Sequence, residues 1–420
     1  MTTKLGLPTP GEVAGTVALQ RRTVRLTGWR LAVALAGLVA VISAVRIITG
    51  AQELDSAGTI AAAIGFAIPL GMAGLGGLWS ERSGVVNIGL EGMMILGTWG
   101  AGWAGTLYGP WWGLLAGVVL GAIGGLVHAI ATVTFAVDQI VSGVAINLLG
   151  LGVTQYLSTL VFPNQPTQSD QIPPISTFTI PGLSDWSASL ADHQWFFVSD
   201  LGSMVHAVTT DVPYTTLIAV ALLPITFYVL WRTAFGLRLR SCGEAPYAAE
   251  SLGVNVYFHK YVAVVVSGGL AGFGGAVLAT VLSGIYREGQ TQGQGFIGLA
   301  AMIFGNWRVG GLASGSLLFG YTQAMQLRSG DAVHALLLVI VIGLVLFALF
   351  RAYRRAVTPA VGALVVAVVV FLWYRATDQL PDQVAYVTPY VATLLVLSLA
   401  SQRLRMPAAD GRPYIKGQEH

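Results

Sequence analysis

The chain has 420 residues, of which 55% are hydrophobic and 10% charged, where soluble domains carry about 25% charged residues. So few charges cannot clothe a chain of this length in water, so most of its surface must face lipid or other helices; an ordinary soluble multidomain protein is excluded. The net charge of +3 would suit nucleic acid, but the basic residues flank apolar runs, where they act as topology signals. The expected surroundings are membrane lipid, with no nucleic-acid partner.

In chain order, residues 1–30 are polar and contain Arg21, Arg22, Arg25 and Arg30, the pattern of a cytosolic tail and not of a cleaved signal peptide. A helix needs about 20 apolar residues to cross the hydrocarbon core. Such runs fall at 31–50, 58–79, 90–108, 111–136, 139–162, 214–232, 261–282, 334–350, 358–376 and 386–401. The stretch 290–327 crosses once, or twice with a break at 306–311. Two crossings bring Arg308, Arg351, Arg354, Arg355, Arg403 and Arg405 to the side of Arg232, Arg238 and Arg240, as the positive-inside rule requires. No lysine or arginine lies between Arg82 and Arg232. The expected fold class is all-α, a polytopic membrane helix bundle of about twelve passes, one of them short or re-entrant, with both termini cytoplasmic.

The fourth and seventh of these runs carry glycine rows. Gly113, Gly117, Gly121 and Gly125 line one helix face and let a neighbouring backbone approach; Gly268/Gly272 and Gly311/Gly315 repeat the spacing. Residues 163–213 form the longest polar stretch, outside in this scheme, with Asp170, Asp185, Asp192, Asp200 and Asp211 and no basic residue. Pro163, Pro166, Pro173, Pro174 and Pro181 prevent a continuous helix through its first half. It is either a connector or a docking surface for an extracytoplasmic partner. Ile88-Gly89-Leu90-Glu91-Gly92-Met93 is echoed by Ile297-Gly298-Leu299-Ala300-Ala301-Met302 in the opposite orientation, the pattern of an inverted repeat with a substrate path between its halves.

Polar groups inside the apolar runs are the candidate site. Glu81 and Arg82 can pair at the cytosolic rim. Asn87 and Glu91 lie four apart, on one helix face, and a carboxylate one turn inside a span costs about 2–3 kcal/mol unless it faces protein or water. Glu91 can bind substrate, transfer protons or tie helices together; Asp138, Gln139 and Asn147 present a similar choice. Trp99, Trp103, Trp111 and Trp112 can stack on a ring or anchor at the membrane interface. His128 reads as a hydrogen-bonded packing residue. Between 232 and 260, Pro246 near the start, Ala248-Ala249-Glu250 within and Gly253 after the end frame a helix of about two turns. One so short is marginal alone in water, so a soluble partner or its own bundle must pack on it.

Several chemistries are excluded. The lysines are Lys4, Lys260 and Lys416, none preceded by glycine, so no GxxxxGK[ST] phosphate loop exists. Cys242 is the single cysteine; it cannot form an internal disulfide, and no Cys/His cluster has metal-ligand spacing. No catalytic residue, metal or bound cofactor is expected in this chain.

The runs GLWSERSGVVNIGLEGMM at 77–94 and GLRLRSCGEAPYAAESLGVNV at 236–256 resemble the permease subunits of bacterial ABC importers of the ribose/branched-chain amino acid type, in particular the nucleoside-importing subgroup. GQGFIGLAAMIFGNWRVGGLASGSLLFG at 293–320 and TPYVATLLVLSLASQRLRMPAADGRPY at 388–414 are similar to that subgroup as well. Coverage is about 58–330 plus the last span. The resemblance implies a permease core at 31–330 with the inverted-repeat architecture of type II ABC importers, set in the bacterial cytoplasmic membrane. It implies that loop 233–260 couples to a cytosolic ABC ATPase through Arg238, Arg240, Gly243, Glu244, Ala248, Glu250 and Gly253, with ATP and magnesium held by that ATPase. A second permease subunit, identical or related, and an extracytoplasmic solute-binding lipoprotein complete the assembly it implies. The cargo is then a nucleoside, or alternatively a simple sugar or branched-chain amino acid, passing near Asn87, Glu91, Asn147, Trp99 and Trp103. The hairpin in 331–376, ahead of the last span and tail at 377–420, departs from the family pattern, as do the first 30 residues. The rival from another class is an ion-coupled secondary transporter using Glu91 and Asp138.

Overall fold

A computed structural model describes residues 28–162, 165–193, 195–328, 330–377, 387 and 404–417. The tail before residue 28 and, apart from residue 387, the expected span at 386–401 lie outside the described residues.

Helices stand at each of the other expected passes. They are α1 (Gly28–Thr49), α2 (Ala57–Arg82), α3 (Leu90–Tyr108), α4 (Pro110–Ala129) and α5 (Gln139–Val161). The polar stretch carries α6 (Leu183–Asp192) and α7 (Val198–Thr209), and α8 (Tyr214–Arg232) leads to the short pair α9 (Ala234–Glu244) and α10 (Pro246–Ser251). Then follow α11 (Val256–Val277), α12 (Gln294–Phe304), α13 (Val309–Gln326), α14 (Gly330–Tyr353) and α15 (Val357–Ala376). Among the described residues, seven helical stretches are long and apolar enough to cross a membrane. This is a multi-pass helical membrane protein.

Helix starts follow local chemistry. Ser56 caps α2 by accepting from Thr59 N, Asp138 caps α5 by accepting from Ile140 N and Val141 N, and Pro110 occupies the first turn of α4, where its missing N–H is no loss. Helices α4 and α11 each run on into a π turn, Ile130–Thr134 and Leu278–Ser283.

Small residues set the packing, and the crossings repeat. Helix α4 crosses α11 with backbones in contact: a Cβ on Gly121 would lie 2.6 Å from Gly272 Cα, and one on Gly268 2.8 Å from Gly125 Cα. Helix α13 crosses α2 in the same manner, with Gly320 against Ala63 and Ala67 and Gly71 against Ser316. Gly97 and Gly275 bring α3 onto α11, while Gly74 and Gly298 bring α12 onto α2. Thus α2, α3 and α4 have neighbours that match those of α11, α12 and α13.

Helix α12 has 11 residues and is about 16 Å long, half of the roughly 30 Å hydrocarbon thickness. Non-helical chain at 284–293 leads into it, and non-helical chain at 83–89 leads into α3. Two stretches that read as loops are more ordered than the sequence suggests. Residues 234–244 are helical, because Thr233 accepts from Gly236 N and Leu239 and Cys242 bury one face. The polar stretch holds two helices and an antiparallel pairing of Thr177–Phe178 with Val212–Pro213. Its beginning is tied to the 284–293 segment by Ser169 N→Tyr286 O (3.0 Å) and Ile172 N→Gly284 O (2.8 Å).

Candidate functional site

The two broken segments meet at Glu91. Its side chain is buried at the start of α3, and its oxygens accept three hydrogen bonds from the chain leading into α12. Thr291 Oγ1 donates to Oε1 at 2.6 Å, Gly293 N to Oε1 at 2.9 Å and Gly295 N to Oε2 at 2.7 Å. Gly295 is required here, since a Cβ would lie 2.6 Å from Glu91 Cα. The carboxyl therefore satisfies backbone N–H groups at the start of a half-length helix, groups that hydrocarbon cannot satisfy.

Asn87 and Asn147 brace the same segment. Asn87 is fully buried, donating to Ser267 Oγ of α11 (2.9 Å) and accepting from Gly89 N (3.1 Å). Asn147 of α5 accepts from Gly92 N (2.7 Å) and donates to Ile88 O (3.1 Å). Gln139 accepts from Val86 N (2.6 Å), and His128 bridges Ser142 and the Val86 carbonyl. Asp138 is exposed and occupied with its cap. The structure brings Asn87, Glu91 and Asn147 together around 85–92 and leaves Asp138 apart.

Toward the end of the bundle that carries Tyr286, Trp99 donates to Ser158 Oγ (3.1 Å) and stacks on Trp103, which is 37% exposed. Tyr286 stacks on Phe162. Beside them opens a pocket of about 500 Å³ whose lining includes Gln155, Gln168, Arg287 and Glu288; Gln155 donates to Glu288. Trp111 and Trp112 are exposed and separate from this group.

At the opposite end, Glu81 and Arg82 each take other partners instead of a simple rim pair. Glu81 accepts from Trp307 Nε1 (2.6 Å), and Arg82 donates from Nε and Nη2 to Trp307 O (3.1 and 2.6 Å). Both carry the α2 end onto the turn between α12 and α13. Gly243, at the end of α9, lies so close to the α2–α3 turn that a Cβ would be 3.0 Å from Gly84 N. Arg240 donates to Leu230 O (2.8 Å) and lies over Trp231. Glu244 is 4.0 Å from Arg82. Helix α10 rests on the bundle through Pro246 and Ala249, its Gly253 terminus is left-handed, and Ala248, Leu252 and Gly253 are exposed together with Arg238. Leu252 is 84% exposed, unusual for a leucine at a helix end. Glu250 is half-buried.

Thr291, Gly293, Gly295, Ser267 and Trp307 join the site without having been among its expected residues. The signal for the first three was their place just ahead of the Ile297 echo, where the matching copy has its own polar break.

Broken segments meeting inside an apolar bundle, with a short helix left partly uncovered at one end, fit a membrane permease. The chain belongs to the branched-chain amino acid transport system permease component family, whose model matches residues 59–350. It is 36% identical over 367 residues to the guanosine ABC transporter permease protein NupQ of Bacillus subtilis, covering 86% of this chain and 97% of that one. It is 33% identical over 361 residues to the nucleoside ABC transporter permease protein NupC of Lactococcus lactis, covering 84% and 95%. A second Bacillus subtilis protein, the guanosine ABC transporter permease protein NupP, is 24% identical over 306 residues, covering 70% and 81%. No solved structure matches the chain. As a permease component it is a transporter subunit that works with ATPase and binding-protein components.

Proposed function

We propose that the chain forms, with a second permease subunit, the membrane path of an ATP-driven nucleoside importer. The observation that carries this reading is its similarity, along nearly their whole length, to permeases named for guanosine and for nucleosides. A simple sugar or branched-chain amino acid is the alternative cargo. Two different Bacillus subtilis relatives carry the name guanosine permease, which favours a related second subunit over an identical one. A lipoprotein receptor delivers solute at the Tyr286 end, where an aromatic pair and an amide-lined pocket suit a nucleobase and its ribose.

The path runs between the halves of an inverted repeat, a reading supported by the reciprocal packing of α2–α4 and α11–α13. The twelve-pass topology with both termini cytoplasmic puts α9 and α10 in the cytosol, facing two ATPase subunits that hold ATP and magnesium. Closure of those subunits presses α10; the push passes through Gly243 to Gly84 and along 83–89 to Asn87, Asn147 and Glu91. These three residues act by holding the broken segments, with Trp99 and Trp103 at the outer mouth. The exposed faces of the hairpin α14–α15 meet lipid. The ion-coupled alternative needs free carboxyl groups, whereas Glu91 and Asp138 are both engaged by N–H donors.

The test is thermal stabilisation of the co-purified receptor by a panel of nucleosides, sugars and branched-chain amino acids. Stabilisation by nucleosides supports the cargo assignment, and stabilisation by sugars or amino acids alone refutes it.

A further inference from the structure

Segment 404–417 returns to the end of the bundle that carries α9 and α10 and threads between that pair and the α2–α3 turn. Ala409 N donates to Gly243 O (2.9 Å), and Ala408 N donates to Glu244 Oε2 (3.2 Å). The Ala409 carbonyl lies against Gly84, whose φ is +82°; a Cβ there would meet that oxygen at 3.3 Å and Gly243 Cα at 3.1 Å. Three backbones thus converge at one point. Arg405 N donates to Asn306 Oδ1 (2.7 Å) on the α12–α13 turn. Asn306 and Trp307 both have positive φ there, a strained conformation that surrounding contacts must hold. Farther on, Tyr414 is 5% exposed, with its ring centroid 5.2 Å from that of Tyr247 on α10 and 5.5 Å from that of Tyr257 on α11. These rings close a small core with Cys242, Ala249 and Val256.

A segment that merely covered apolar surface would need side chains only. This one spends its backbone donors on the end of α9 and on the α12–α13 turn, lays its Ala409 carbonyl against Gly84 and sets its buried ring against α10. We infer that residues 404–417 form a coupling strap, which holds α10 and the α9–α10 corner on the Arg82–Gly84 turn so that a displacement of α10 reaches the broken segment 83–89. Tyr414 and Ala409 are its positioning residues. The inference rests on the reading of α10 as the ATPase contact.

The test uses the full permease assembled with its ATPase and second permease subunits in proteoliposomes, with the fully buried Cys242 left in place and the unsubstituted chain as the labelling blank. Ile88→Cys, in the broken segment, reports motion through its rate of maleimide labelling with and without ATP, a readout that needs no knowledge of the cargo. ATP is expected to change that rate in the parent. Tyr414→Ala should reduce the ATP response about tenfold, the equivalent of the two ring contacts removed, with the ATPase subunits still bound. Tyr414→Phe, which keeps the ring, should restore the response. Ala409→Pro, which deletes the N–H donated to Gly243, should reduce it at a second point. Full ATP responses in both Tyr414→Ala and Ala409→Pro overturn the strap, as does failure of both to accumulate in the membrane, which would make the segment a folding element. Absence of any ATP response in the parent also overturns it. Leu252→Asp, on the exposed tip of α10, separates the two readings. ATPase subunits that remain bound to it refute α10 as the contact, whereas their release alongside a silent Tyr414→Ala refutes the strap alone.

Discussion

Replacing Glu91 by glutamine keeps the size of the side chain and one acceptor oxygen but turns the other oxygen into an NH2 donor. In the structure Oε1 accepts from Thr291 Oγ1 and Gly293 N, and Oε2 accepts from Gly295 N. Either orientation of the amide sets NH2 against a backbone N–H, that of Gly295 in one case and that of Gly293 in the other. At least one bond is lost, and a buried donor is left facing a donor at less than 3 Å. Hydrogen bonds to charged groups contribute about 1.5–3 kcal/mol and an unsatisfied buried donor costs about 1–3 kcal/mol. The structure therefore predicts a destabilisation of about 2–4 kcal/mol, seen as a fall of roughly 5–10 °C in the thermal midpoint of the detergent-purified protein. At a temperature where the variant is folded, uptake should persist with an unchanged pH profile. An unchanged midpoint together with abolished uptake would instead make Glu91 a group that handles solute or protons.

Gly272→Ala places a Cβ 2.9 Å from Gly121 Cα and should cost about 1–3 kcal/mol by overpacking, read by the same thermal assay. Combined with Gly121→Ala it should cost less than the sum, because one separation of α4 from α11 accommodates both methyl groups; Gly343→Ala, which meets nothing within 4 Å, should be silent. Asp410 is pushed up to about 7 by burial, against the lowering influence of Glu81, Lys260 and Arg82 around it. A folded value above the unfolded one of about 3.9 means that its contribution is complete below about pH 4 and is lost as pH rises through about 7. Trypsin cleavage after the exposed Arg405 should thus accelerate between pH 6 and pH 8, and Asp410→Asn should flatten that dependence; equal acceleration in the variant would show that another group is responsible.

The passes were legible because each full-length one is an apolar run of about 20 residues, and in the structure local chemistry sharpens some of the starts, with Ser56 ahead of α2, Asp138 ahead of α5 and Pro110 opening α4. The framing of α10 by Pro246 and Gly253 was legible as well, since both act through local backbone geometry. What could not be read was who satisfies a buried polar group. By chemistry the Glu91 carboxyl can bind substrate, transfer protons or tie helices together, and only the fold brings residues 200 to 204 positions away to its oxygens. Glu81 and Arg82 are neighbours in sequence, so their pairing was the natural expectation. The α12–α13 turn supplies Trp307, whose indole N–H and carbonyl engage both side chains at once. Helix α9 was hidden by its low apolar content, with Leu239 and Cys242 its buried anchors. Segment 404–417 has no periodicity at all, and its contacts are made mostly by backbone.

The proposed conduit is worked by a nucleotide-hydrolysing partner through α10. Its most direct measurement is guanosine accumulation in proteoliposomes holding the permease pair, the ATPase subunits and loaded receptor. Guanosine should accumulate with enclosed ATP, fail to accumulate without it, and fail again when the ATPase subunits are omitted. Accumulation driven by a proton or sodium gradient in vesicles lacking both ATP and ATPase would contradict it.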